Sequence, residues 1–222
     1  MRVLAIAAHP DDETLGCGGT LLKHYAAGDS LFWLIATEPH PPYWSLETIE
    51  RKSAEVAGVA EAYGMERCFK LGLPAGQLDT VPIADVMEHI RHVITEISPD
   101  TVYLVHGGDV HTDHQTLFTA AMSVLKPFHM GALGVRKVIS YETLSSTEAA
   151  PHQTNYRFTP NLFGNITPYM DRKIDILGMY LTEAQPDPMP RAPSAVRALA
   201  RFRGATISVD YAEAFMLVRE LA

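Results

Sequence analysis

Residues His9-Pro10-Asp11-Asp12-Glu13 set three carboxylates and an imidazole directly behind an apolar run, Val3 to Ala8. Crowded acids at the end of a buried strand lose hydration and repel one another, so the segment calls for a compensating positive charge. A divalent cation would supply it. A second cluster of the same chemistry, Asp109-Val110-His111-Thr112-Asp113-His114, lies far along the chain. His9, Asp12 and His114 would together offer two nitrogens and one oxygen. Three protein ligands with one place left open is the catalytic arrangement for zinc, not the structural one. Asp11, adjacent to Asp12 but not needed as a ligand, is then placed to take a proton from a water on the ion, whose pKa falls from ~16 towards ~7. His111 would protonate a leaving group or stabilise an oxyanion, with Asp113 fixing its orientation. Thr112 and Gln115 read as a T-x-x-Q capping box that sets His114 in the first turn of a helix, where the dipole disfavours imidazolium and keeps the ring able to bind metal.

The elements that must position these groups follow a strand–helix rhythm. Val3–Ala8, Ser30–Thr37, Arg67–Leu73 and Thr101–His106 read as buried strands. Between and after them, helical patterns run over about Thr14–Ala27, Leu46–Tyr63, Ile83–Ile97 and Asp113–Leu125. The Ile83 helix carries Ile83, Val86, Met87, Ile90, Val93, Ile94 and Ile97 on one stripe. Such alternation predicts an α/β, Rossmann-like, doubly wound and mostly parallel sheet flanked by helices. For strand order 3-2-1-4-5 the reversal falls between the first and fourth strands, and ligands bind there at the strands' carboxyl ends. Both charged clusters follow those two strands, so the topology brings them to one crevice. Beyond residue 136 the rhythm changes: RKVISYET and YRFTPNLFGNIT read as strands, helices follow near 168–183 and 193–203, and 208–222 fits either period.

Bulk properties set bounds. The chain has 222 residues, 47% hydrophobic and 20% charged, which suits one soluble domain over 1–222. A net charge of −8 with no basic run argues against nucleic acid as a partner. Cys17 and Cys68 form no CxxC pair, which argues against a zinc ribbon or disulfide framework and fits a reducing, cytoplasmic setting. No stretch approaches membrane-spanning length. His89 and His92 form a second HxxH with no carboxylate cluster near the sheet's carboxyl edge and read as an exposed helix face. Gly16, Gly18 and Gly19 lack the spacing and lysine of a phosphate loop and read as close-packing positions. No G-x-S-x-G elbow or H-E-x-x-H motif occurs. Tyr43 and Trp44, in the loop EPHPPYW, read either as a local packing anchor or as rings that face the site mouth.

AHPDDE after the first strand, with HTDH after the fourth, resembles the PIG-L/LmbE family of zinc-dependent de-N-acetylases, whose motifs read AHPDDE and HPDH. TLGCGGTL, RKSAEVAGVA, LGLPAGQL, PNLFGNIT, RKIDILGMY, RFRG and YAEAF extend the likeness along most of the chain. The resemblance implies a Rossmann-like fold and hydrolysis of an N-acyl amine, typically on an N-acetylated sugar or glycoside, with Zn2+, Fe2+ or another divalent ion. By that likeness His9, Asp12 and His114 are the metal ligands, Asp11 the general base, His111 with Asp113 the electrostatic or acid pair, and Arg51 a substrate-binding residue. Four positions depart from the family pattern: Thr112 for proline, Val110 for a basic or polar residue, Ala75 for an aspartate and Glu183 for a glutamine. Oligomeric state is left open, a homo-oligomer included.

Two other classes compete. A receiver-type signalling domain also carries an acidic pair after its first strand and binds Mg2+ there, but needs a phosphoacceptor aspartate where this third strand ends Leu73-Pro74-Ala75. A non-catalytic metal- or carbohydrate-binding module has no use for the spare Asp11 and His111.

Overall fold

The computed structural model describes residues 1–151 and 157–222. The elements run β1 (Arg2–Ala7), α1 (Asp12–Ala26), β2 (Ser30–Glu38), α2 (Leu46–Tyr63), β3 (Met65–Pro74), α3 (Ile83–Ile97), β4 (Thr101–Val105), α4 (Thr112–Val124), α5 (Pro127–Met130), β5 (Lys137–Tyr141), β6 (Leu162–Asn165), α6 (Met170–Leu177), α7 (Pro193–Thr206) and β7 (Ala212–Glu220). Among the described residues the strands form one seven-stranded sheet, order β3-β2-β1-β4-β5-β7-β6. β1 to β5 pair in parallel, and β7 enters antiparallel between β5 and β6. The α/β, doubly wound reading and the order 3-2-1-4-5 both hold, with the winding reversing between β1 and β4.

β1 is apolar without alternation because helices cover both faces of a parallel sheet; Val3 to Ala8 are fully buried. α3 shows the opposite pattern. It buries Val86, Ile90, Val93, Ile94 and Ile97, while Ile83, at its first residue, stays exposed. His89 and His92 lie on its outer, exposed side. Glycines let α1 sit against its neighbours: a Cβ on Gly16 would overlap the Tyr141 ring, one on Gly18 the Tyr63 hydroxyl, and one on Gly19 the Ile166 side chain. Close packing is therefore their role here.

Polar side chains bind the backbone of α1 as well. The Lys173 ammonium donates to the Leu15 carbonyl at 2.9 Å, and the two Glu213 oxygens accept the Gly19 and Thr20 amides at 2.7 and 2.8 Å. Lys173 and Glu213 pair with each other at 2.8 Å and are both buried. Helix α6, through Lys173, and strand β7, through Glu213, thus grip the helix whose first turn carries Asp12.

Two expectations need correction. The helix expected over 168–183 is α6, over 170–177 only. Its end tightens into i→i+3 bonds from Met179 to Ile176 and Tyr180 to Leu177, which turns the Tyr180 hydroxyl inward onto Glu13 at 2.6 Å. The strand expected over YRFTPNLFGNIT is β6, confined to Leu162–Asn165, and Tyr156 at the head of that string lies outside the described residues.

Candidate active site

The two clusters meet at the carboxyl edge of β1 and β4, lining one cavity of about 420 Å³. His9 lies two residues past β1, and Asp12 opens α1. Asp12 Oδ2 accepts the Ala8 and His9 amides at 2.9 and 2.8 Å, which folds the turn back on itself. Across the crevice His114 lies in the first turn of α4.

Two carboxylates orient the two imidazoles. A carboxylate can only accept, so the ring nitrogen facing it carries the hydrogen. His9 Nε2 donates to Asp113 Oδ2 at 2.8 Å, and His114 Nδ1 donates to Asp109 Oδ2 at 3.0 Å. The neutral rings then turn bare lone pairs, His9 Nδ1 and His114 Nε2, towards each other at 3.3 Å. Asp12 Oδ1 stands 3.3 Å from that His114 nitrogen, and Asp12 Oδ2 3.7 Å from His9 Nδ1. Three acceptors converge with no hydrogen between them, so a proton or a cation must hold them together. Ligand atoms in a tetrahedral zinc site, about 2.0–2.1 Å from the ion, stand roughly 3.3 Å apart. The observed spacing fits a divalent metal.

The electrostatics agree. Burial opposes charge on His114, but Asp12 and then Asp109 outweigh it and push the imidazole up to about 10. Burial likewise opposes ionisation of Asp12, yet the charge and hydrogen bond of His114, with those of His9, hold it well below the usual carboxylate range. These carboxylates create an appetite for positive charge, and metal would displace the proton. The helix dipole by itself favours a neutral His114; the Asp12 and Asp109 carboxylates pull the ring the other way.

His111 also places a nitrogen within 4.8 Å of those of His9 and His114. It is instead the N-cap of α4, its Nδ1 accepting the Asp113 amide at 3.2 Å. The neutral ring therefore carries its hydrogen on Nε2, as a donor rather than a ligand. Burial, and then the charges of His9 and His114, hold its pKa below the usual value and favour that neutral form. The Thr112–Gln115 capping box does not form. Helix α4 starts one residue earlier, and Gln115 donates to the Asp109 carbonyl at 2.7 Å. Nor does the Asp113 carboxylate orient His111. It accepts from His9, from the Gly76 amide at 2.7 Å and from the Leu78 amide at 2.9 Å.

Asp11 is buried beside Asp12 and lines the cavity. Burial, reinforced by the Asp12 charge and opposed by Arg191, raises its carboxyl well above the ordinary range. Behind it Glu13 is fully buried, held by Thr14 at 2.5 Å and Tyr180 at 2.6 Å, and burial raises it to about 7.

Arg51 is not brought to this cluster. More than half exposed on α2, it lies 3.5 Å from Glu55, while its neighbour Lys52 lines the cavity. Trp44 lines the cavity too, with Tyr43 set against it edge-on and exposed. Three of the four departures, Ala75, Val110 and Glu183, are cavity residues.

Sequence reasoning assigned no role to Asp109, Lys52 or Arg191. Asp109 was detectable, since an acid five residues before a ligand histidine can reach back across a helix start. Arg191 gives no local signal.

The chain matches the family model described as GlcNAc-PI de-N-acetylase (PIG-L) over residues 4–125. A Bacillus cereus protein, named as a probable N-acetyl-alpha-D-glucosaminyl L-malate deacetylase, is 25% identical over 83% of this chain and 84% of its own. The solved structure of the conserved protein TT1542 from Thermus thermophilus superposes with TM-score 0.76 at 26% identity, covering 99% of this chain and 96% of that one. GalB, the 4-carboxy-2-hydroxymuconate hydratase of Pseudomonas putida KT2440, superposes with TM-score 0.74 at 16% identity, covering 100% and 97%. This last likeness is one of fold alone, and the fold accommodates more than one chemistry.

Proposed function

The chain belongs to the PIG-L family, and from that premise we propose that it is a zinc-dependent hydrolase that removes the acetyl group from an N-acetylated amino sugar or glycoside, acting as one catalytic unit over residues 1–222. The observation that carries this reading is the convergence of His9 Nδ1, His114 Nε2 and the Asp12 carboxylate, with Asp11 and His111 left over beside them. A pure binding module has no use for the leftover pair.

His9, Asp12 and His114 would hold the ion, whose contribution when bound is to polarise the amide carbonyl and acidify a water beside it. Asp11 takes the proton of the attacking water. One of its oxygens is engaged by Arg191, and among the described residues no hydrogen bond reaches the other, Oδ1. His111 Nε2–H donates to the oxygen that becomes negative as the carbonyl turns tetrahedral. Asp11 then returns its proton to the amine nitrogen as the C–N bond breaks, which releases acetate and the free amine. Trp44 supplies an apolar face for the sugar ring. Ala75 and Val110 leave the neighbouring wall uncharged, which favours a substrate whose second half is not recognised through an ion pair there.

The test is acetate release from a panel of N-acetylglucosamine glycosides and oligomers by zinc-reconstituted protein, beside the same protein after chelation. Zinc-dependent acetate with a stoichiometric amine supports the proposal. Hydration of an unsaturated acid, with every N-acetyl substrate untouched, would replace deacetylation by hydratase chemistry.

A further inference from the structure

We infer that Arg191 is the positioning residue of Asp11. The role rests on the proposed reading of Asp11 as the base, but the geometry that suggests it is independent of any substrate. Asp11 is not a glycine, yet its backbone sits at φ 110°, ψ −27°. A conformation so sparsely populated persists only where the surroundings over-determine it. Two contacts do so. The Asp11 amide donates to Glu13 Oε2 at 3.2 Å, and Arg191 Nη1 donates to Asp11 Oδ2 at 2.9 Å.

Arg191 is itself anchored. The same Nη1 donates to Glu183 Oε2 at 2.8 Å, and the Lys52 ammonium pairs with the other Glu183 oxygen. The order Lys52–Glu183–Arg191–Asp11 alternates in charge and runs from α2, through the segment between α6 and α7, to the turn before α1. All four residues line the cavity. Glu183, with both oxygens engaged, is a link in this chain and not a free acid. Arg191 Nε is buried and has no partner among the described residues, so the guanidinium is not held in place by other bonds at that nitrogen. Its position is set by the two carboxylates, and it sets theirs in return.

The consequence is directional. With Oδ2 fixed by Arg191, the carboxylate cannot rotate freely, and Oδ1 keeps one orientation. A base displaced by about 1 Å can lose on the order of 100-fold in rate. Arg191 need not touch substrate to matter, so its removal should lower kcat and leave KM nearly alone.

The experiment is a double-variant cycle on the full, zinc-loaded chain with Asp11→Asn and Arg191→Met, reading kcat, KM and bound zinc per chain. Arg191→Met is expected to lower kcat roughly 100-fold with KM within about threefold and zinc still stoichiometric. Added to Asp11→Asn it should cost little more, because the group it serves is already disabled. Arg191→Lys, which keeps a cation able to meet both carboxylates without the fork, should recover roughly tenfold of the loss and remains informative if the Met variant folds poorly. Losses that multiply in the double variant, a rise in KM in place of a fall in kcat, or an unchanged Arg191→Met and Arg191→Lys would each overturn the role. If Asp11→Asn alone keeps full turnover, the base assignment fails, a different failure read from a different variant.

Discussion

Asp113→Asn is a near-isosteric change with a large expected effect, and the size follows from counting donors. The carboxylate accepts three hydrogen bonds: His9 Nε2 and the Gly76 amide on Oδ2, and the Leu78 amide on Oδ1. All three partners are donors, and Asp113 is fully buried. An asparagine offers one acceptor oxygen and one NH2, so whichever way it turns, its NH2 faces a donor. If the oxygen keeps His9 and Gly76, the Leu78 amide is left buried and unpaired, at a cost of about 1–3 kcal/mol. If the amide flips, His9 must change tautomer and place its hydrogen on Nδ1, the atom that faces His114 and Asp12. Loss of such an outer partner to a ligand histidine typically weakens metal affinity by about 10–100-fold. For a chain of this size 1 kcal/mol corresponds to about 2–4 °C, so the metal-free protein should melt roughly 2–12 °C lower. Competitive chelator titration reads the first quantity, and thermal melting in chelator reads the second. Zinc affinity within threefold of the unaltered protein, together with an unmoved metal-free Tm, would refute the orientation of His9 by Asp113.

Other substitutions separate the remaining roles. Asp11→Asn should lose ~10²–10⁴ in kcat while metal analysis still finds the ion, as removal of a general base does. Glu213→Gln leaves the buried Lys173 ammonium without its counter-charge, and breaking such a pair should cost about 3–5 kcal/mol in denaturant titration. Gly16→Ala drives a methyl into the Tyr141 ring, whose hydroxyl is tied to the Ile6 carbonyl at 2.9 Å, and overpacking there should cost about 1–3 kcal/mol by the same measurement.

Much of the framework was legible in the residues. Uninterrupted apolar runs such as Val3–Ala8 and TVYLVH mark strands covered on both faces, and the helical stripe of α3 is unambiguous in period. Those patterns imply a doubly wound sheet, and if its strands take the order 3-2-1-4-5, residues near 10 and near 110 share a crevice. Long-range detail was not legible. β7 inserts antiparallel because Phe215 and its neighbours pair with both β5 and β6, yet AEAFMLVRE fits a strand and a helix equally well. Which acid serves which imidazole depends on where α4 begins. A start one residue earlier turns the Asp113 carboxylate away from His111 and onto His9, and brings Asp109 to His114. Arg191 reaches Asp11 from a Pro-rich connection, and no spacing rule links positions 180 residues apart.

The proposed chemistry depends on one ion held by His9, Asp12 and His114. X-ray absorption at the zinc edge, on protein loaded with one equivalent and freed of excess, tests this most directly. It should show one ion per chain with two imidazole nitrogens and oxygen ligands at about 2.0–2.1 Å, and the imidazole signature should disappear with the bound zinc in His9→Ala and His114→Ala. Stoichiometric zinc with an unchanged spectrum in both variants would contradict it.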